Sequence, residues 1–169
     1  NSNRGMIAFQ GAPGAYSDLA CRGAYPAMTT LPCPTFEDAF AAVARERAHL
    51  AMIPIENSVA GRVADIHHLM PRSNLYIAGE HFLRVHHQLL ALPGADPAGL
   101  KTVHSHVHAL GQCRKAIREL QLKPVVAADT AGAARELAEI EDQTRAVIAT
   151  SLAAEIYGLE VIRRDIEDE

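Results

Sequence analysis

Short apolar runs alternate with segments whose apolar residues recur every three to four positions along most of this chain. The short runs are typical of buried strands, and the wider spacing is typical of amphipathic helices. Strands that alternate with helices through short loops predict a parallel sheet with right-handed crossovers, and therefore an α/β fold. The predicted strands are residues 6–9, 29–33, 50–55, 75–79, 102–105, 125–128, 146–149 and 159–166. The predicted helices are residues 63–70, 109–120, 131–139 and 151–157, with two more that begin at Asp18 and Phe36.

The apolar segment 82–92 is longer than an ordinary strand. We interpret it as the crossing from one α/β lobe into another, with a first lobe over residues 6–80 and a second over residues 81–158. A chain of 169 residues is long enough to build two small lobes that each bury a core.

The strand predicted at 50–55 leads directly into three polar side chains, Glu56, Asn57 and Ser58. Its nearly continuous apolar sequence predicts burial on both faces, and Pro54 should end regular pairing because it has no N–H to donate. Open α/β sheets place ligands at the carboxyl ends of their strands, where these three residues are expected. The alternative is an ordinary polar turn, and this stretch by itself does not separate the two.

A glycine-containing loop joins the first predicted strand to the first helix. Gly11, Pro13 and Gly14 permit a tight turn, and Ser17 is a suitable N-cap, so backbone amides at the helix start are predicted to hold an anion. The loop has neither the lysine of a nucleotide-binding loop nor the third glycine of a dinucleotide fingerprint, which favours a carboxylate over a phosphate. A plain turn between strand and helix is the alternative.

The second lobe repeats this arrangement of small polar groups at strand ends. Ser105 ends a predicted strand, Gln112 lies about two helical turns further on, and Thr130 or Asp129 caps the next helix. Together with the loop at 11–17 and residues 56–58 of the first lobe, they predict a cleft between the lobes. This cleft would be lined by hydroxyls, amides and helix N-termini. Such a cleft suits a small anionic molecule.

Composition narrows the classes of partner. Apolar residues make up 49% of the chain and charged residues 21%, as in ordinary globular proteins. A net charge of −4 without a basic run argues against nucleic acid, and no apolar run approaches the roughly 20 residues that span a bilayer. We therefore expect a cytoplasmic protein. The three cysteines lack disulfide or zinc spacing, and we expect the acidic run 165–169 to be a solvated terminus.

The histidines are a weaker signal. His104, His106 and His108 alternate and would share one face of a strand, as zinc ligands do. No cysteine or carboxylate lies at a helpful spacing from them, so no metal site is predicted. The adjacent pair His86 and His87 would point apart in regular structure, and we expect both to be surface or capping residues.

Five motifs in register resemble the prephenate dehydratase family. They are FQGAPGAYS at 9–17, PIENS at 54–58, SH at 105–106 with QC at 112–113, DTAGAA at 129–134 and YGL at 157–159. The resemblance implies two α/β lobes like those of type II periplasmic binding proteins, with the site in the cleft and residues 159–169 returning to the first lobe. It also implies a cytoplasmic lyase of phenylalanine biosynthesis that converts prephenate to phenylpyruvate, without a cofactor, as a homodimer or higher oligomer.

The resemblance assigns roles to the polar positions. Asn57 and Ser58 would orient the ring of the substrate, and Glu56 would orient or, if burial raised its pKa, donate a proton. The groups expected to bind the substrate carboxylates are Gly14, Ala15, Tyr16, Ser17, Ser105, Gln112 and Thr130.

The sequence departs from the family pattern in two respects. Val107 stands where the family often has proline, and the N-x-T-R-F segment that carries the family's catalytic threonine lies outside the sequence given, as does the regulatory domain that commonly follows it. We therefore expect impaired activity from this chain alone. Arogenate dehydratase is the close alternative, and a non-catalytic module that binds a small anion or amino acid is the other.

Overall fold

The computed structural model describes residues 5–54, 56–57, 61–62, 75 and 77–169. The chain divides into two compact units, the first of Asn1–Ala12 with Ser17–Arg84 and the second of Pro13–Tyr16 with Val85–Glu169. The main boundary thus lies four residues beyond the predicted one. The Pro13–Tyr16 segment, predicted as part of the first lobe, belongs to the second unit because its contacts lie there.

The first unit contains a parallel sheet of three strands, β1 (Met6–Gln10), β2 (Thr29–Cys33) and β3 (Leu50–Met52), in the order β2-β1-β3. Strand β1 is central, and its residues Ile7, Ala8 and Phe9 are fully buried. The α/β prediction is confirmed here, since parallel strands need crossover connections.

Two helices follow the first two strands of this unit. Helix α1 spans Tyr16–Ala24, so Ser17 lies inside the first turn and the prediction that it caps the helix is wrong. Helix α2 spans Phe36–Ala44, and the predicted cap Thr35 is confirmed, since its side chain accepts a hydrogen bond from the Asp38 N–H.

Strand β3 is shorter than predicted and only partly buried. It ends at Met52, two residues before Pro54, which cannot donate to a ladder. Short strands β4 (Glu56–Asn57) and β5 (Gly61–Arg62) then pair antiparallel. The predicted helix 63–70 lies outside the described residues. Of the predicted strand 75–79, the described residues are not in a strand.

The second unit contains a mixed sheet of five strands in the order β10-β6-β9-β7-β8. Strand β7 pairs parallel with β8 and β9, as predicted, whereas β6 pairs antiparallel with β9 and β10. The strands are β6 (Gln88–Ala91), β7 (Thr102–Ser105), β8 (Lys123–Val126), β9 (Arg145–Ala149) and β10 (Glu160–Arg163).

The expected return of residues 159–169 to the first lobe is wrong. Strand β10 pairs with β6 of the second unit, with Val161 opposite Leu90. The apolar side chains of Leu159 and Ile166 are buried in the two cores of that unit, which explains why the segment stays there.

Alternate residues of β9 point to opposite faces of the five-stranded sheet, and each face has a core. Ala146 and Ile148 pack in one cluster, which includes Val103, while Val147 packs with Leu137 in the other. Four helices cover these faces, α3 (Val107–Gln112), α4 (Arg114–Glu119), α5 (Thr130–Ile140) and α6 (Ser151–Tyr157). Within the described ranges, no helix is long and apolar enough to cross a membrane.

The single helix predicted at 109–120 is divided in two at Cys113, whose φ of −125° and ψ of 29° are not helical. The break exposes the first amides of α4, and the carboxylate of Asp168 accepts hydrogen bonds from the N–H groups of Arg114 and Lys115, each at 3.0 Å. A residue distant in sequence therefore caps α4, which no local pattern could indicate.

Candidate functional site

The Pro13–Tyr16 segment is held at helix α6 by two hydrogen bonds. Thr150 donates a hydrogen bond from Oγ1 to the Gly14 carbonyl at 2.6 Å, and the Tyr157 hydroxyl donates to the Pro13 carbonyl at 2.6 Å. Gly14 has a φ of +92°, and a Cβ there would lie 2.9 Å from Cα of Ala153. Only glycine fits this position without strain, and the segment therefore has a defined conformation.

This segment delivers Tyr16 to a network of three hydrogen-bonded side chains, the Tyr16–His87–Gln112 network. The Tyr16 hydroxyl bonds Nδ1 of His87, and Nε2 of the same ring bonds Oε1 of Gln112 at 2.7 Å. Tyr16 and Gln112 were both predicted to bind substrate. The structure brings these two together through a residue that was given no role.

The prediction that His87 is a surface or capping residue is wrong, because it is only 3% exposed. Its neighbour His86 is exposed, as predicted, and bonds Oε2 of Glu167 at 2.8 Å. The available signal was the position of His87 inside the apolar segment 82–92, since a polar side chain that is buried must find hydrogen-bond partners.

Proton positions in the network follow from its acceptors. An amide oxygen only accepts, so Nε2 of His87 carries the proton that Gln112 receives. In the neutral ring Nδ1 is then the acceptor, and the Tyr16 hydroxyl donates to it. Burial raises the pKa of Tyr16, and the nearby Cys113 and Glu167 raise it further. The phenol therefore stays protonated at neutral pH and retains its hydrogen to donate.

The acidic end of the chain, expected to be a solvated terminus, holds the backbone around this network. Ile166 donates its N–H to the His87 carbonyl at 2.9 Å, and the Glu167 carboxylate accepts from the His87 N–H at 2.9 Å. Asp168 donates its N–H to the Gln112 carbonyl at 2.6 Å. Burial acts to raise the pKa of Glu167, but the hydrogen bonds from His87 and His86 outweigh it and lower that pKa.

Two predicted binding residues of the second unit lie elsewhere. Ser105 ends β7 as expected, but it is fully buried and its hydroxyl donates to the Ile148 carbonyl at 2.7 Å. Thr130 is the first residue of α5, and Asp129 is the cap, since its carboxylate accepts from the Gly132 N–H. Within the part of the chain that the structure describes, no hydrogen bond joins Ser105 or Thr130 to the network, and their binding roles stay predictions.

The remaining candidate residues also stay predictions. Glu56 and Asn57 form β4 of the first unit, but their side chains, like all of Ser58, lie outside the described residues. Ala15 and Ser17 are half-buried on either side of Tyr16.

The zinc alternative assumed that three alternating histidines share a strand face, and this assumption is wrong. His104 lies in β7, but His106 is the N-cap of α3 and accepts from the His108 N–H at 3.2 Å. The rings of His106 and His108 meet edge to face with centroids 4.8 Å apart. Burial lowers the pKa of both His104 and His106.

Comparison with known proteins gives a consistent family. The prephenate dehydratase family model matches residues 7–169. A bifunctional N-acyl-homoserine lactone acylase/prephenate dehydratase of Komagataeibacter europaeus is 55% identical over 163 residues, which cover 96% of this chain and 58% of that protein. The chloroplastic arogenate dehydratase/prephenate dehydratase 2 of Arabidopsis thaliana is 41% identical over 169 residues, which cover 100% of this chain and 44% of that protein.

A solved structure agrees with these relatives. The prephenate dehydratase of Arthrobacter aurescens, in complex with L-Phe, is 30% identical with a TM-score of 0.85, and the match covers 97% of this chain and 56% of that one. The chain therefore spans about half the length of the relatives that it matches.

Proposed function

The chain belongs to the prephenate dehydratase family, and from this premise we propose that it catalyses the decarboxylating dehydration of prephenate to phenylpyruvate in phenylalanine biosynthesis. The observation that carries the proposal is the extent of the family match. It runs over residues 7–169 and so includes the Pro13–Tyr16 segment and all three residues of the network.

The chemistry of the reaction suits the side chains of the second unit. Prephenate loses one carboxylate as carbon dioxide and its ring hydroxyl as water, so a site must hold two carboxylates and protonate the departing hydroxyl. Neutral N–H and O–H donors hold carboxylates without adding negative charge. Gln112 is such a donor through its side-chain NH₂ group, whereas the one hydroxyl hydrogen of Tyr16 is donated to His87. We assign the substrate carboxylates to this side and the ring chemistry to Glu56, Asn57 and Ser58.

Arogenate is the alternative substrate within the same reaction class. It carries an amino group where prephenate carries a keto group. A relative named for both dehydratase activities is 41% identical to this chain, and a relative named for arogenate alone is 44% identical. Parallel assays with the two substrates separate these activities through the ratio of their kcat/KM values.

Hydrolysis of N-acyl-homoserine lactones is a second candidate function. It is favoured by one observation, the 55% identity to a protein named for both an acylase and a prephenate dehydratase activity. The two activities are separable in one preparation, because acylase action releases a fatty acid and homoserine lactone, whereas dehydratase action releases phenylpyruvate.

The test is phenylpyruvate formation from prephenate, followed by its absorbance, with this chain beside the product of the complete gene. The resemblance to a family with an N-x-T-R-F segment leads us to expect turnover by the complete product and little by this chain alone. Binding of prephenate without turnover by either protein would favour the non-catalytic module. If the complete product neither bound nor turned over prephenate, the result would contradict the proposal.

The proposed function includes an oligomeric state and a cellular location. We infer a homodimer or higher oligomer in the cytoplasm, on the family resemblance and the composition. Light scattering on the purified complete product measures the molar mass, and a monomer at micromolar concentration would contradict the first inference. Cell fractionation tests the second.

A further inference from the structure

We propose that His87 is a positioning residue that fixes the side-chain amide of Gln112 as a hydrogen-bond donor for a substrate carboxylate. This inference rests on the proposed function, because it names the orientation that the binding side of that site requires. His87 itself touches no reacting atom in the proposal and acts through Gln112.

Every polar group of His87 has a hydrogen-bond partner. The ring bonds Tyr16 and Gln112, the backbone N–H donates to Glu167, and the carbonyl accepts from Ile166. The residue is 3% exposed, and its ring meets that of Tyr16 edge to face with centroids 5.3 Å apart. An imidazole held by these contacts has one orientation.

The side-chain amide of Gln112 receives its orientation from the His87 ring. A side-chain amide has an acceptor end and a donor end of nearly equal size, and only its hydrogen bonds decide which way it points. The His87 Nε2–H occupies the Gln112 oxygen at 2.7 Å. With the proton on Nε2, rotating the amide by half a turn would set two donors against each other, so this tautomer of His87 directs the NH₂ group of Gln112 away from the ring.

This orientation leaves the NH₂ group of Gln112 available. Among the hydrogen bonds of the described residues, none uses the NH₂ group of Gln112, so its two donors remain for a ligand. The backbone of Gln112 is also held, since its carbonyl accepts from Asp168 at 2.6 Å. Two N–H donors held in one orientation suit the oxygens of a carboxylate, because a hydrogen bond to a charged acceptor is stronger than one to a neutral acceptor.

Two substitutions separate the two bonds of the ring. His87→Gln places an amide N–H near the position of Nε2 and keeps the bond to Gln112, whereas His87→Asn keeps an acceptor near Nδ1 for Tyr16 and loses that bond. His86→Asn is the matched control, because it alters the adjacent exposed histidine and leaves the ring contacts of His87 intact.

In the complete gene product, we expect His87→Asn to raise KM for prephenate about tenfold, with kcat within about threefold of the original, because a hydrogen bond to a charged group is lost. His87→Gln should stay within about threefold in KM, and His86→Asn within about twofold. In a Gln112→Ala background, His87→Asn should raise KM no further, because both changes remove the same contact. An unchanged KM in His87→Asn, or additive effects of the two substitutions, would overturn the proposal.

A measurement by nuclear magnetic resonance tests the tautomer of His87 without any enzyme activity. The ¹⁵N chemical shifts of the His87 ring should show a protonated Nε2 and an unprotonated Nδ1, and His87→Asn should move the side-chain NH₂ signals of Gln112. A protonated Nδ1 together with an unprotonated Nε2 would contradict the positioning role, even in an active enzyme. If the ring shifts are as expected but neither prephenate nor arogenate is turned over, the result would count against the proposed function alone.

Discussion

The hydroxyl of Thr150 donates a hydrogen bond to the carbonyl of Gly14 at 2.6 Å, across 136 positions of sequence. The same oxygen accepts from the Ala153 N–H at 3.0 Å and so caps helix α6. Thr150 is fully buried. One side chain therefore both begins a helix and holds the segment that carries Tyr16 into its network.

Removing this hydroxyl should destabilise the protein. We expect Thr150→Val to lower the free energy of unfolding by about 1–3 kcal/mol, because it deletes an N-cap and a buried donor while keeping the side-chain volume. Urea unfolding followed by circular dichroism measures the change. Thr150→Ser keeps the hydroxyl, and its free energy of unfolding should fall less than that of the valine variant. Equal stability of the valine variant and the parent would show that the contact has no energetic role.

The conformation of Gly14 leads to a second prediction. Gly14→Ala should lower the free energy of unfolding by about 1–3 kcal/mol, because a side chain is strained at a φ of +92° and its Cβ would lie 2.9 Å from Ala153. Gly23→Ala is the matched control, since nothing lies within 4 Å of its Cβ position and it lies in helix α1. In that control, the free energy of unfolding should rise by about 0.5–1 kcal/mol, because alanine has a higher helix propensity than glycine. An equal decrease in the free energy of unfolding of both variants would contradict the steric explanation.

Asp168 supplies a third prediction, on the cap of helix α4. Asp168→Asn should lower the free energy of unfolding by about 0.5–1 kcal/mol at low ionic strength, because the charge that faces two helix N-terminal amides is lost. The difference should shrink at 1 M salt, where the Debye length is about 3 Å. Glu169→Gln removes a neighbouring charge that caps no amide in the described structure and is the control. Insensitivity of the difference to salt would argue against a charge effect.

Glu167 gives a prediction on pH. Burial acts to raise its pKa, but hydrogen bonds from His87 and His86 lower it below the ordinary 4.5. A carboxyl whose pKa is lower in the folded state stabilises that state above the unfolded pKa, and this contribution disappears as the pH falls through the folded pKa.

The melting temperature should therefore be higher in the parent than in Glu167→Gln at pH 6, and the gap should close between pH 4.5 and the lower folded pKa. Differential scanning calorimetry at half-unit intervals from pH 6 to pH 3 measures the gap. A gap that stays constant down to pH 3 would show that the ionised carboxylate is not its source.

Local signals in the sequence determined most of the elements. The strand Thr29–Cys33 ends before Pro34, and the helix Ser151–Tyr157 ends at Gly158, whose φ of +67° suits glycine. Both boundaries were predicted correctly because a cap or a helix breaker acts within a few residues of itself. The same locality explains the prediction that Tyr16 and Gln112 belong to a binding site, since both lie beside strand and helix ends.

Only the tertiary structure decided which of these elements meet. The sequence pattern placed the Pro13–Tyr16 segment in the first lobe and the family resemblance placed residues 159–169 there, whereas both belong to the second unit. It also left His87 on the surface, although the bond from Tyr16 to that ring spans 71 positions. Such contacts depend on the packing of distant surfaces and the pairing of polar groups buried between them, and no periodicity in the chain records which partner a side chain will find.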